Sequence, residues 1–196
     1  NMNEFTSQGL ANMVNAYSKM TISHPLLFDE VAKAAIPIIG TFNSQELANT
    51  VNAYAKMNFS HSLIFDEVAK AAIRIIDTFN SQELANTVNA YAKMDHPSPA
   101  LFDKVAKAAV PILDTFNSQA LANTVNAYAK LDHSQPLLFD EVGKAALPII
   151  DTFDSQELAN TVNAYAKMEH YDSLLFDEVA KAAIPILDVF DSQELA

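Results

Sequence analysis

The 196-residue chain has no cysteine and no tryptophan, and only three glycines. Without cysteine there is no disulfide scaffold, no thiolate zinc site and no thiol nucleophile. So few glycines leave little room for phosphate-cradling loops or tight hairpins. Positive charge is scarce too: 12 lysines and arginines face 24 carboxylates, for a net charge of −12. Taken alone, that balance opposes nucleic acid, whose phosphates are met by Lys and Arg. No apolar run approaches the roughly 18 residues of a membrane span. Half of the residues are hydrophobic, too many for a disordered chain.

What is present is a repeat. Phe5, Phe42, Phe79, Phe116, Phe153 and Phe190 are each 37 residues apart. Tyr17, Tyr54, Tyr91, Tyr128 and Tyr165 keep the same period, as do Phe28, Phe65, Phe102, Phe139 and Phe176. The units run 5–41, 42–78, 79–115, 116–152 and 153–189, with a partial sixth at 190–196. The chain is therefore one array and not a set of domains. No polar capping repeat flanks it, so it is expected to be a piece of a longer array.

Each unit reads as two helices. In the first, the A helix, Asn43 is an N-cap with Glu46 three residues on, a capping box with Phe42 as its hydrophobic staple. Asp154 and Asp191 take the cap position later, and Gly9 and Ala120 break the box. Leu47, Thr50, Val51, Tyr54, Ala55 and Met57 lie on one face, with Gln45, Asn49, Asn52 and Lys56 opposite. In the second, the B helix, Pro25, Pro99 and Pro136 suit the first turn. Leu27, Val31, Ala34, Ala35 and Ile38 form its apolar face. Pro37, Pro111, Pro148 and Pro185 end or kink it, and Arg74 in that position predicts about one more turn. A 37-residue helix pair cannot enclose a core, but stacked copies can. The fold class is all-α, a right-handed αα-hairpin repeat solenoid.

The charges are segregated. Five lysines follow an aspartate by four residues on the B helix, as in Asp29–Lys33 and Asp66–Lys70. Such pairs are worth about 0.2–0.5 kcal/mol each. Five others, Lys19, Lys56, Lys93, Lys130 and Lys167, have no acid three or four residues away in their own helix. They end a polar stripe that repeats Asn-Asn-Lys: Asn12, Asn15 and Lys19; Asn49, Asn52 and Lys56; Asn86, Asn89 and Lys93; Asn123, Asn126 and Lys130; Asn160, Asn163 and Lys167. Paired mid-helix asparagines cost helix propensity, so an interaction is expected to offset them. Two readings are open. The stripe is a ladder for an extended ligand, its amides meeting base edges and its lysines phosphates. Alternatively, the asparagines bond one another or backbone between neighbouring A helices. Recent duplication would also keep the units alike.

The five histidines, His24, His61, His96, His133 and His170, fall in the A–B connections. Equivalent residues about a helix spacing apart cannot converge on one zinc, so no metal site is expected. The Asp-Glu pairs sit in the first turns of B helices and complement the helix dipole. The Tyr and Phe rows read as core. No nucleophile–base pairing recurs, so no enzyme and no cofactor is expected.

The segments SQELANTVNAYAKM and PLLFDEVAKAAIPIID resemble the octotricopeptide and heptatricopeptide repeat families. The matching residues are Leu47, Asn49, Ala53 and Ala55, then Leu63, Phe65 and Val68, echoed through the five units apart from Ser18 and Ala100. The resemblance implies an organellar helical-repeat protein, of chloroplast or mitochondrion, that binds single-stranded RNA at about one nucleotide per repeat. It also implies roles in RNA maturation, stability, translation or ribosome assembly. The alternative is a protein-interaction scaffold or structural subunit of a larger assembly, with the acidic surface suiting basic partners.

Overall fold

The start of each A helix is fixed by a side-chain oxygen that meets its orphan amides. The computed structural model describes residues 5–194, with side chains through Leu187. Its helices are α1 (Ser7–Lys19), α2 (Pro25–Ala35), α3 (Ser44–Lys56), α4 (Ser62–Ile75), α5 (Ser81–Lys93), α6 (Pro99–Ala109), α7 (Ser118–Lys130), α8 (Pro136–Ala146), α9 (Ser155–Lys167) and α10 (Ser173–Glu194). The odd-numbered ones are the A helices. At α3 the Glu46 amide donates to Asn43 Oδ1 at 2.9 Å, and Glu46 Oε2 accepts from the Asn43 amide at 3.0 Å. Asn80 with Glu83 and Asp154 with Glu157 repeat this box. Thr6 and Asn117 cap α1 and α7 without the return bond, because Gly9 and Ala120 lack a carboxylate.

The A helices end in the 6→1 bond of a Schellman motif, seen from Phe59 N–H to Tyr54 O at 2.9 Å and from His96 N–H to Tyr91 O at 3.0 Å. The residue that turns the chain is left-handed and is never glycine: Thr21, Asn58, Asp95, Asp132 and Glu169 have φ between 50° and 57°. Such a residue costs about 1–2 kcal/mol relative to glycine.

Proline governs the B helices. Pro25, Pro99 and Pro136 open α2, α6 and α8, and Pro37, Pro111 and Pro148 convert their ends to 3-10 turns at Ile36–Thr41, Val110–Thr115 and Leu147–Thr152. With Arg74 in the proline position, α4 has 14 residues where α2 has 11, and the 3-10 turn shrinks to Ile76–Thr78. Each turn is closed by a threonine hydroxyl bonded back three residues, such as Thr41 to Ile38 O at 2.8 Å and Thr152 to Ile149 O at 2.7 Å. The last unit departs from expectation. Helix α10 runs through Pro185 to Glu194, so the B helix does not end there and Asp191 does not start a sixth A helix. The sequence has Val189 where the other units have that threonine, so the hydroxyl that closes the other turns is lacking here. The side chains of Phe190 and Asp191 lie outside the described residues.

The two layers pack differently. A helices lie against one another in series, α1 on α3 through α7 on α9, far more extensively than B helices meet. The end helices show which face is which. Ala159 and Ala166 are exposed on α9, while Ala48, Ala55 and their other equivalents are buried. Ala16 is exposed on α1, while Ala53 and its equivalents are buried. Each A helix thus turns Ala48, Val51 and Ala55 forward and Ala53 and Tyr54 back. Small side chains on both faces let the backbones approach closely. The buried Thr50 hydroxyl is satisfied within its own helix, donating to Glu46 O at 2.7 Å.

Tyrosine fastens each B helix to the next A helix. Tyr54 donates to Phe28 O at 2.6 Å, Tyr91 to Phe65 O at 2.6 Å, Tyr128 to Phe102 O at 2.7 Å and Tyr165 to Phe139 O at 2.6 Å. Burial pushes all four phenols far above their ordinary pKa, and carboxylates such as Asp29 beside Tyr54 and Asp66 beside Tyr91 add to it. The Tyr54 ring meets Phe28 edge-on at 5.0 Å. This contact turns the B helix about one residue from the expected face. The buried set is Phe28, Val31, Ala32 and Ala35, while Leu27, Ala34 and Ile38 are half-buried.

Candidate nucleic-acid interface

The turn geometry of the A helix places Asn49, Asn52 and Lys56 on one stripe, and stacking aligns the stripes of α1, α3, α5, α7 and α9. Packing grades the exposure along each stripe. Asn15, Asn49, Asn52, Asn86, Asn89, Asn123, Asn126 and Asn160 are half-buried between helices, and Asn12 and Asn163, on the two end helices, are exposed. All five lysines are exposed. The stripes line a furrow of about 370 Å³ that takes in Asn12, Asn15, Lys19, Asn49, Asn52 and Asn86 together with the acidic Glu83. A smaller hollow continues it past Asn86, Gln119 and Asn123.

The second reading of the asparagines does not hold. Among the described residues, none of these ten amides makes a hydrogen bond to another or to backbone. They open on solvent with donors and acceptors free. The lysines form no ion pair among the described residues, and Lys167 Nζ lies 3.4 Å from Lys130 O, at the C-terminal end of the neighbouring A helix. Within the A helices themselves the acids Glu46, Glu83 and Glu157 are held at the other end by their capping boxes, while Asp95, Asp132 and Glu169 follow Lys93, Lys130 and Lys167 by two residues in the turns beyond. A furrow lined by amides, with exposed lysines at the C-terminal ends of the A helices, can hydrogen-bond planar polar groups and neutralise phosphates.

The B-helix lysines pair differently from the expected Asp–Lys arrangement. Lys33 bonds Glu30 at 2.6 Å, Lys70 Glu67 at 2.7 Å, Lys144 Glu141 at 2.7 Å and Lys181 Glu178 at 2.6 Å, all three residues back. Hydrogen bonds to these glutamates hold the lysine amines above their ordinary pKa. The aspartates serve another purpose. His96 Nε2 lies 2.9 Å from Asp66, His133 2.9 Å from Asp103 and His170 2.8 Å from Asp140, each pair joining consecutive units. In the first seam Phe59 fills the same slot and packs on Phe28 at 4.5 Å. His24 and His61, two positions later, cap α2 and α4 through Nδ1. The two histidine registers are therefore two structural roles. The fixed 30-residue separation from Asp to His in three units was the available signal for the first role.

Among the described residues, no group of three or more His, Asp or Glu is placed to hold a metal ion, and no helix is long and apolar enough to cross a membrane. Curated proteins give no match. Residues 1–105 and again residues 98–196 match the family described as RNA-editing substrate-binding complex 6 protein; the two matches together span the chain, which belongs to that family.

Proposed function

We propose that this chain binds single-stranded RNA along the A-helix furrow, as a non-catalytic helical-repeat subunit. The observation that carries this reading is the row of half-buried amides that satisfy no partner inside the protein, each set ending in a lysine without an ion pair. The family description, an RNA-editing substrate-binding complex, agrees with it. The mode is that of the heptatricopeptide-type repeats, about one nucleotide per unit with bases on the amides and phosphates on the lysines. The compartment is an organelle, chloroplast or mitochondrion, as the repeat resemblance implies.

Binding of single-stranded RNA measured at several salt concentrations tests this. Affinity falls with salt, and each of Lys56→Ala, Lys93→Ala and Lys130→Ala lowers the slope by about 0.7. No binding at low salt discards the proposal. A second reading, a scaffold within a larger complex, is favoured by one specific feature. Leu26, Leu63, Leu137 and Leu174 stand 50–64% exposed at the B-helix starts, in register, with an aspartate three residues on. If the leucine row carries the contact, replacing Leu63 and Leu137 with asparagine abolishes assembly with protein partners and leaves RNA affinity unchanged.

A further inference from the structure

The steps of the furrow are the same at every unit. The helices α3, α5 and α9 share the sequence SQELANTVNAYAK, and α7 differs only at Ala120. All four begin at a capped residue and end at the same lysine, so their amides project in the same pose. Change has reached the units elsewhere. The A–B turns read TISH, NFSH, DHPS, DHSQ and EHYD, and even in α1 the residues that differ are Gly9, Met13 and Ser18. None of those lies on the stripe, where glutamine, both asparagines and lysine are identical in all five units.

We propose, resting on the RNA-binding reading above, that the furrow selects single-stranded RNA of one repeated base. An amide offers two donors and an acceptor in a fixed plane. A base edge that complements Asn49 and Asn52 therefore complements Asn86 and Asn89, and Asn123 and Asn126, in the same way. A base that leaves one of these half-buried groups unpaired does so at every step, and the penalties accumulate. A reader of mixed sequence needs different side chains at successive steps, and this furrow has none. The lysines meet phosphates, which are alike for all bases, so they hold the strand without choosing it.

The test is fluorescence anisotropy of the full 196-residue chain with equal-length oligo(A), oligo(C) and oligo(U), and with an unstructured mixed-sequence strand, at one salt concentration. One homopolymer binds at least about tenfold tighter than the mixed strand, since penalties for wrong bases add from step to step. The combined variant Asn52→Ala, Asn89→Ala and Asn126→Ala removes that preference and keeps binding. It still folds, because alanine raises helix propensity at these positions, and circular dichroism verifies this. Equal affinity for the mixed strand and every homopolymer overturns the inference and leaves RNA binding standing. A preference that survives in the asparagine variant also overturns it. Failure of all four strands to bind removes the RNA-binding reading itself, and a protein-docking role takes its place.

Discussion

The A layer and the B layer come from one repeated sequence and hold together in opposite ways. In the A layer, alanine-lined helices lie directly on one another and every seam is buried. In the B layer, helices meet sparingly, prolines break the ends of α2, α6 and α8, and α2, α4, α6 and α8 each receive a tyrosine from the next A helix. One layer is a spine and the other is hung from it. The unpaired amides and lysines are on the spine. For the proposed RNA contact, fixed spacing is best kept by the element least able to shift.

The sharpest way to break this contrast is to place the same charge in each layer. Val88 is fully buried in the A seam, whereas Leu63 on the B helix is half exposed. Val88→Asp strands an unpaired carboxylate between α5 and its neighbour and costs more than about 4 kcal/mol. Leu63→Asp meets water, close to a helix start that favours negative charge, and changes stability by no more than about 0.5 kcal/mol. Urea unfolding of both variants measures the difference. Comparable losses would mean that the two layers share the load.

The tyrosine links between the layers give the next largest effect. Burial raises the pKa of Tyr54, Tyr91, Tyr128 and Tyr165 in the folded chain. Below the ordinary phenol value the groups are protonated in both states, and their contribution is complete. Above pH about 10 the unfolded chain releases protons that the folded chain retains, so stability falls by up to about 1.4 kcal/mol per pH unit for each tyrosine. The protein should unfold in alkali, with phenolate absorbance rising together with loss of helix. Tyr91→Phe costs about 1 kcal/mol at neutral pH and makes the alkaline loss less steep. A phenolate signal that precedes unfolding would show that the links are open to solvent.

Most of the spine is legible in the sequence. The 37-residue period, the capping boxes and their failure at Gly9 and Ala120, the proline stops and the extra turn at Arg74 are local or periodic features. What escapes depends on how one unit is rotated against the next. A period gives the translation between units and says nothing of that rotation. Hence spacing assigns Asp66 to Lys70 within the helix, when its partner is His96 in the following unit. Periodicity likewise puts Leu27 on the buried B face, where Phe28 occupies it. The stripe residues are all identifiable from the repeat, but their freedom from internal bonds requires the stacked arrangement. Helix α10 shows the limit of reading by analogy, because it runs through Pro185 where the equivalent prolines of α2, α6 and α8 lead into 3-10 turns.

The smallest effect probes the tolerance of the hung layer. Unit two already carries the experiment: Arg74 replaces proline, α4 lengthens to Ile75, and the next phenylalanine, Phe79, is as buried as Phe116 after Pro111. The B layer absorbs the change because the following A helix is positioned by the spine. Pro111→Arg should therefore extend α6 by about one turn and shorten the Val110–Thr115 turn. The regained hydrogen bond and the added conformational freedom of the unfolded chain oppose one another, so the net change stays within about 1 kcal/mol. Hydrogen exchange would report protection at the new backbone amide of the substituted position and at Ile112, with the amides of α7 unchanged. Loss of protection in α7 would show that the proline turn positions the A helix, and the division into spine and hung layer would fail.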